Sequence, residues 1–247
     1  TERVYVAGYT LTSSRVADAL VAAQSRGADV RVLLEGDPVG GRTRTEAETL
    51  DRLTEVGVEV RVVAGPRARY RYHHAKYAVA DDTGVVTTEN WKPAGTGGNS
   101  SRGWGVATDQ PEIVAGLAET FAADAGWRDA VPWESYRDGR SFQLGETATA
   151  EYPSRFDATT VPVDRTELLV TPDNAQRALV REIEAAEESI DVIQPTVGSW
   201  DEPLMAALRR AANRGVEVRL LLSSAWYVSE ENQRTVERFE GWADRTG

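Results

Sequence analysis

The chain contains no cysteine, which excludes a disulfide framework and any thiolate metal site. Lysine and histidine are almost absent as well, with two of each in 247 residues. Chemistry that needs an imidazole or an ammonium must draw on a very short list. No apolar run approaches the roughly 20 residues of a membrane-spanning helix. The N-terminus lacks the basic start and apolar core of a signal peptide. The sequence does not open on methionine, and Thr1 leads almost directly into the strand-like run Val4-Tyr5-Val6, as expected of a fragment or a processed chain.

Arginine and acid are plentiful instead. There are 28 basic residues, all but two of them Arg, against 39 Asp and Glu, for a net charge of −11. An acidic, lysine-poor surface is what a salt-adapted protein shows, because net charge keeps it soluble while concentrated salt screens the repulsion. Codon bias accounts for few lysines but not for the charge. A negative balance ordinarily argues against a nucleic-acid substrate, and salt adaptation weakens that argument. The length allows one large domain or two small ones with a proper core.

Apolar periodicity organises the chain as follows. Val4 to Tyr9 reads as a strand. Val16, Ala19, Leu20 and Ala23 follow at helical spacing, with Ser13 or Ser14 as N-cap and Gly27 as the stop. Val30 to Leu34 is a buried strand. Leu50, Leu53 and Val56 mark a second helix, and Val58 to Val63 the next strand. This β-α-β-α-β order predicts an α/β fold with a mainly parallel mixed sheet flanked by helices. From about Val131 to Arg165 periodicity fades and Pro132, Gly139, Gly145, Pro153 and Pro162 punctuate the chain, so 131–165 reads as an inter-unit linker. Asp173, with Gln176 three residues on, reads as a capping box opening a helix from Asn174 to Glu187.

The beginning then recurs. Arg214-Gly215-Val216-Glu217-Val218-Arg219-Leu220-Leu221-Leu222 repeats Arg26-Gly27-Ala28-Asp29-Val30-Arg31-Val32-Leu33-Leu34 at an offset of 188. Leu204, Ala207, Leu208 and Ala211 overlie Val16, Ala19, Leu20 and Ala23 at the same offset. Two copies of one α/β unit are therefore expected: a first unit over 1–130 and the N-terminal part of a second over 166–247. On that reading the second unit is truncated, and the counterpart of His74 falls near position 260, past Gly247.

Both histidines and one of the two lysines lie within four residues, in Tyr72-His73-His74-Ala75-Lys76-Tyr77-Ala78-Val79-Ala80-Asp81. As a strand, this stretch would put His74 and Lys76 on one face and His73 on the other. A neutral imidazole can attack phosphorus, and a neighbouring ammonium can neutralise the non-bridging oxygens. Asp81-Asp82 reads as a turn. Gly95-Thr96-Gly97-Gly98 lacks the Gly-Lys-Ser/Thr of a nucleotide loop. Trp91 and Trp104 either line the cleft or pack.

His74-Ala75-Lys76-Tyr77-Ala78-Val79-Ala80-Asp81 fits His-x-Lys-x4-Asp. With Thr87-Thr88-Glu89-Asn90 downstream and the duplication, the sequence resembles the phospholipase D superfamily. The resemblance implies tandem phospholipase D-like units and phosphodiester hydrolysis or phosphatidyl transfer through a phosphohistidine. It implies catalytic roles for His74, Lys76 and Asp81, with His74 as nucleophile, Lys76 as phosphate ligand and Asp81 in support. Asn90 and Thr88 would bind the substrate phosphate. No metal and no cofactor is called for. The family pattern has Gly-Ser where this chain has Thr87-Thr88, and a following Glu that orients the histidine, whereas Asn99 to Trp104 offer no carboxylate. The family also builds one site from two such motifs, and these residues hold one. The second is expected from sequence beyond Gly247 or from a homodimer, leaving the fragment weak or inactive alone. A phospholipid-type substrate is favoured, because no basic, aromatic-interleaved patch of a nuclease stands out. The alternatives are a nuclease-type phosphodiesterase and a non-catalytic phosphate-binding module.

Overall fold

The computed structural model describes residues 1–65, 67–96, 101–145 and 156–246. The chain divides into two compact units, Thr1–Leu168 and Leu169–Gly247. Among the described residues no helix is long and apolar enough to cross a membrane.

The first unit runs β1 (Arg3–Gly8), α1 (Ser14–Ser25), β2 (Asp29–Glu35), α2 (Arg44–Glu55), β3 (Glu59–Val63), β4 (Tyr77–Ala80), β5 (Thr83–Thr87), α3 (Pro93–Thr96), β6 (Gly105–Thr108), α4 (Pro111–Ala125), β7 (Ala130–Pro132) and α5 (Trp133–Arg137). The strands form one sheet in the order β6-β5-β4-β1-β2-β3-β7. The sheet is mixed, as expected, but its parallel part is confined to β1, β2 and β3, and every other pairing is antiparallel. Helical crossovers connect the parallel strands. A turn at Asp81 and Asp82 connects β4 to β5.

Strand alternation divides the core in two. On one face Val6, Val30, Val32, Leu34, Val60 and Val62 pack against Leu20 of α1 and Leu50 and Leu53 of α2. On the other, Ala7, Leu33, Val63, Tyr77 and Val79 pack against Ile113, Val114, Leu117 and Phe121 of α4. The helices start at side-chain caps. Ser13 Oγ accepts from Val16 N at 3.4 Å and Thr43 Oγ1 from Glu46 N at 3.2 Å.

The stretch read as a linker opens differently. Residues 130–132 form the edge strand β7, and α5 buries Trp133 completely beside Tyr136, with Phe142 packed against the same cluster. Arg44 N then donates to Gln143 O at 2.7 Å. The remainder of that stretch includes 146–155, Pro153 among them, which lie outside the described residues.

The second unit runs α6 (Ala175–Ala185), β8 (Ser189–Gln194), α7 (Pro203–Asn213), β9 (Glu217–Leu222) and α8 (Ser229–Thr246). The N-cap of α6 is Asn174, not Asp173. β8 and β9 pair in parallel, from Ser189↔Glu217 to Gln194↔Leu222. Met205 and Leu208 of α7 cover Ile190, Val192, Val218 and Leu220.

Candidate active site

The candidate residues gather at one end of the first sheet. There β1 and β2 finish, β4 begins, β5 finishes and β6 begins. From β1 the chain winds outward through β2 and β3 on one side and through β4, β5 and β6 on the other, so the strand order reverses between β1 and β4. Mixed α/β sheets place their ligand crevices at such a switch, outside the carboxyl ends of the parallel strands.

β4 begins only at Tyr77, so the predicted strand from Tyr72 is shorter by five residues. Tyr72 to Lys76 form an irregular approach in which His73 and Lys76 are buried and His74 is exposed. His74 and Lys76 converge all the same, because both face Tyr9 at the end of β1. The His74 ring lies edge-on to the Tyr9 ring at 4.7 Å, and Lys76 Nζ sits 5.4 Å from the same ring centroid. Lys76 Nζ also donates to the His74 carbonyl at 2.8 Å, folding the two residues together. Tyr9 is fixed in turn by Val39 N, which donates to its hydroxyl at 2.6 Å.

Sequence reasoning missed the carboxylates behind the motif. Glu35 ends β2 and is buried. Its Oε2 accepts from His73 N at 2.5 Å and its Oε1 from Asp37 N at 2.9 Å. His73 is 4% exposed, with Nε2 3.5 Å from Asp124 Oδ2 at the end of α4. Asp124 also pairs with Arg69 at 3.2 Å, and Arg69 is locked to the buried Asp129 through Nε and its own backbone N–H. The approach to β4 is thus held at Arg69 and at His73, on opposite sides of Tyr72. Glu35 and Asp124 lie far from the motif in sequence, and no local spacing announces them.

Asn90 is placed by its neighbour. Trp91 Nε1 donates to Ala7 O at 2.9 Å, and the Trp91 carbonyl accepts from Thr12 N and Ser13 N, both at 2.9 Å. Trp91 therefore packs rather than lining a cleft. A Cβ on Gly8 would lie 2.6 Å from Trp91 Cδ1, so only glycine fits there. The Asn90 Oδ1 is buried with no hydrogen-bond partner. Thr88 is spoken for: its hydroxyl accepts from Trp104 N at 2.9 Å. The Thr87 hydroxyl donates to Trp104 O at 3.0 Å and accepts from Glu89 N at 3.1 Å. Asn99 and Ser100, where a carboxylate was sought, lie outside the described residues. Among the described residues no carboxylate hydrogen-bonds the His74 imidazole.

Asp81 stands apart from the others. It follows β4, four residues and so about 13 Å along the strand from the His74 end. It adopts φ 50°, and its Oδ1 accepts from Glu2 N at 2.7 Å and Arg3 N at 3.0 Å. Those bonds hold its carboxyl below the usual range. Asp81 thus ties the start of the chain to the β4–β5 turn, apart from His74 and Lys76.

The family described as "Cardiolipin synthase, PLD-like domain" matches residues 1–125 and 179–242. The chain belongs to the phospholipase D-like family. No curated protein matches it by sequence. Among solved structures it is similar to Nuc from Salmonella typhimurium, a phospholipase D family member, at 19% identity, a TM-score of 0.44, and coverage of 53% of this chain and 80% of that one. NucT from Helicobacter pylori shows 19% identity, a TM-score of 0.44, and coverage of 53% and 82%. Polyphosphate kinase from Porphyromonas gingivalis shows 19% identity and a TM-score of 0.56, over 90% of this chain and 33% of the kinase. The kinase likeness is one of fold.

The chemistry of this phospholipase D-like family is that of the phosphodiester, and the electrostatics at His74 suit it. Partial burial, then Lys76 and His73, push the His74 pKa below its usual 6.5. The imidazole is therefore neutral at pH 7, with a lone pair available to attack. Burial lowers Lys76 to about 8, against an opposing pull from Glu89. It is still cationic at pH 7 but poorly solvated, so an anion placed beside it gains strongly. Arg67-Ala68-Arg69-Tyr70-Arg71-Tyr72, a basic and aromatic segment, leads into the motif, and its Tyr72 ring lies edge-on to Tyr9 at 6.3 Å.

Proposed function

We propose that this site cleaves or exchanges a phosphodiester through a phosphohistidine. An imidazole nitrogen of His74 attacks phosphorus. The P–N bond forms as the bond to the leaving oxygen breaks, while Lys76 neutralises the non-bridging oxygens. The Asn90 amide is a further phosphate ligand, with Thr88 holding its segment against Trp104. The leaving oxygen takes a proton from a general acid. Water, or an alcohol in a transfer reaction, then attacks the phosphohistidine, breaks the P–N bond and returns the free imidazole. The reading rests on the convergence of a neutral imidazole and a buried ammonium on Tyr9.

The general acid is not supplied by this site. His73 is buried against Asp124, and no third histidine exists in these residues. A second His-x-Lys site supplies it, either from another copy of the chain or from a longer form. The preference for phospholipid drawn from composition assumed that no basic, aromatic segment was present, and that assumption fails at Arg67 to Tyr72. His74→Asn should abolish turnover of bis-p-nitrophenyl phosphate, phospholipid and DNA. It should also abolish acid-labile labelling of the protein by a phosphorus-labelled diester. Labelling and turnover at parental levels in the variant would overturn the assignment.

A further inference from the structure

We propose that Arg67 to Tyr72 forms a nucleobase-stacking subsite that delivers single-stranded nucleic acid to His74, an inference that rests on the phosphodiester reading above. Residues 60–80 contain no Asp or Glu, although acids number 39 in the chain. The same window carries Arg61, Arg67, Arg69, Arg71 and Lys76. Arg61 pairs with Glu59 and Arg69 with Asp124 and Asp129, so among the described residues Arg67, Arg71 and Lys76 are the cations that a chain of net charge −11 leaves unneutralised in the segment leading into and through its motif. Such focusing draws a polyanion to one place while the rest of the surface repels it.

The segment is anchored rather than loose. Arg69 donates to Asp129 from its backbone and its guanidinium, and Asp124 links it to His73. With Arg69 so occupied, Arg67 and Arg71 stay exposed, and among the described residues neither has a carboxylate partner. Both are free to take phosphates. Tyr72 is 41% exposed and sits edge-on to Tyr9 at 6.3 Å, while Tyr9 touches His74 at 4.7 Å. Arg71 lies 5.5 Å from the Tyr72 ring. An aromatic wall backed by a guanidinium therefore adjoins the position of the scissile phosphate. Bases stack on such platforms whatever their identity, and cations beside them hold the backbone. A duplex hides its base faces, so the wall selects single strands. A diacyl lipid needs apolar surface, and Ala68 is the only aliphatic side chain between Arg67 and Tyr72.

The test uses the His74→Asn chain, which binds without cleaving. Its probes are a labelled oligothymidylate of about a dozen nucleotides, within the site size of such grooves, the matching duplex, and phosphatidylglycerol–phosphatidylcholine vesicles. Single strands should bind tighter than duplex. Arg67→Gln and Arg71→Gln should each flatten the slope of log affinity against log salt by about 0.7. Tyr72→Ala should weaken binding about tenfold, and Tyr72→Phe should restore it. Parental affinity in Tyr72→Ala and both arginine variants, or vesicle binding that the oligonucleotide fails to compete, overturns the subsite. Bis-p-nitrophenyl phosphate separates the two readings. If His74→Asn kills its turnover while the Tyr72 and arginine variants bind normally, the chemistry stands and the subsite falls. If His74→Asn retains that turnover while those variants lose oligonucleotide binding, the subsite stands and the nucleophile falls.

Discussion

Lys76 shows what a buried ammonium does to the fold that carries it. Its pKa of about 8 lies below the usual 10.5 because burial disfavours the charged form. The sign follows directly. In the unfolded chain Lys76 is protonated at any pH below about 10.4, whereas in the folded chain the proton is held more weakly. The charge therefore lowers stability below pH 8, and the loss is recovered as pH rises from about 8 to 10.5. Lys76→Met removes the buried charge along with one hydrogen bond to the His74 carbonyl, which is worth about 1 kcal/mol. We expect a net gain on the order of 1–2 kcal/mol at pH 7, read as a rise of a few degrees in Tm that vanishes near pH 10.5. Activity should fall by at least a hundredfold. A Tm that drops at pH 7 would contradict this. The same two groups set the rate profile. The free protein's kcat/KM should rise as His74 deprotonates below its usual 6.5 and fall as Lys76 loses its proton near pH 8. At this scale the sequence was readable because histidine and lysine are so rare that their clustering stands out. Glu35, Asp124 and Tyr9 were not, since they reach the motif through the fold from β2, α4 and β1. The place of Asp81 was not legible either, because motif spacing does not record distance, and the four residues of β4 carry it away from His74.

Elements were legible in proportion to their length. The long helices α1 and α2 and the strands β1 to β3 have enough turns or alternations to show a period. β7 and α5, at three and five residues, do not, and their positions are set by Trp133 filling a gap in the core. The approach to β4 read as strand because Tyr72 to Lys76 alternate, yet His73 N donates to the Glu35 carboxylate and the His74 carbonyl accepts from Lys76 Nζ, and a bond to a neighbouring strand comes only at Lys76, whose carbonyl accepts from Thr87 N. The junction of β1 with the Asn90 segment is the most sensitive of these joints. Gly8→Ala places a methyl 2.6 Å from Trp91 Cδ1 and 3.0 Å from Leu34 Cδ2, both inside the packed core. Overpacking of this kind costs about 1–3 kcal/mol. Trp91 must give way, and with it the Trp91 Nε1 bond to Ala7 and the position of Asn90. Gly8→Ala should lower Tm, change the tryptophan emission and weaken binding of inorganic phosphate. Unchanged phosphate affinity in a destabilised variant would separate Trp91 from the site.

At the scale of the whole chain, two parallel strand pairs can be set side by side. β1 pairs with β2 from Arg3↔Asp29 to Gly8↔Leu34, and β8 pairs with β9 from Ser189↔Glu217 to Gln194↔Leu222. Each pair is parallel and spans a helix. Under that alignment Ile193 and Leu221 stand where Ala7 and Leu33 do. Ala7 and Leu33 are fully buried under α4, whereas Ile193 is 56% and Leu221 64% exposed. Among the described residues the first unit has seven strands and two separate core clusters of its own, while the second has a single strand pair with one face covered. Two-stranded sheets are marginal without further packing. The two units should therefore differ when separated. Residues 1–168 alone should fold cooperatively and, since His74, Lys76, Asn90 and Tyr72 all lie within them, bind inorganic phosphate as the whole chain does. Residues 169–247 alone should show weak, non-cooperative melting and bind a hydrophobic dye through Ile193 and Leu221. Circular dichroism, thermal melts and dye fluorescence on the two pieces test this. A cooperative, dye-negative second unit would mean that its strand pair is sufficient, and that the correspondence with β1 and β2 carries no demand for a covering helix.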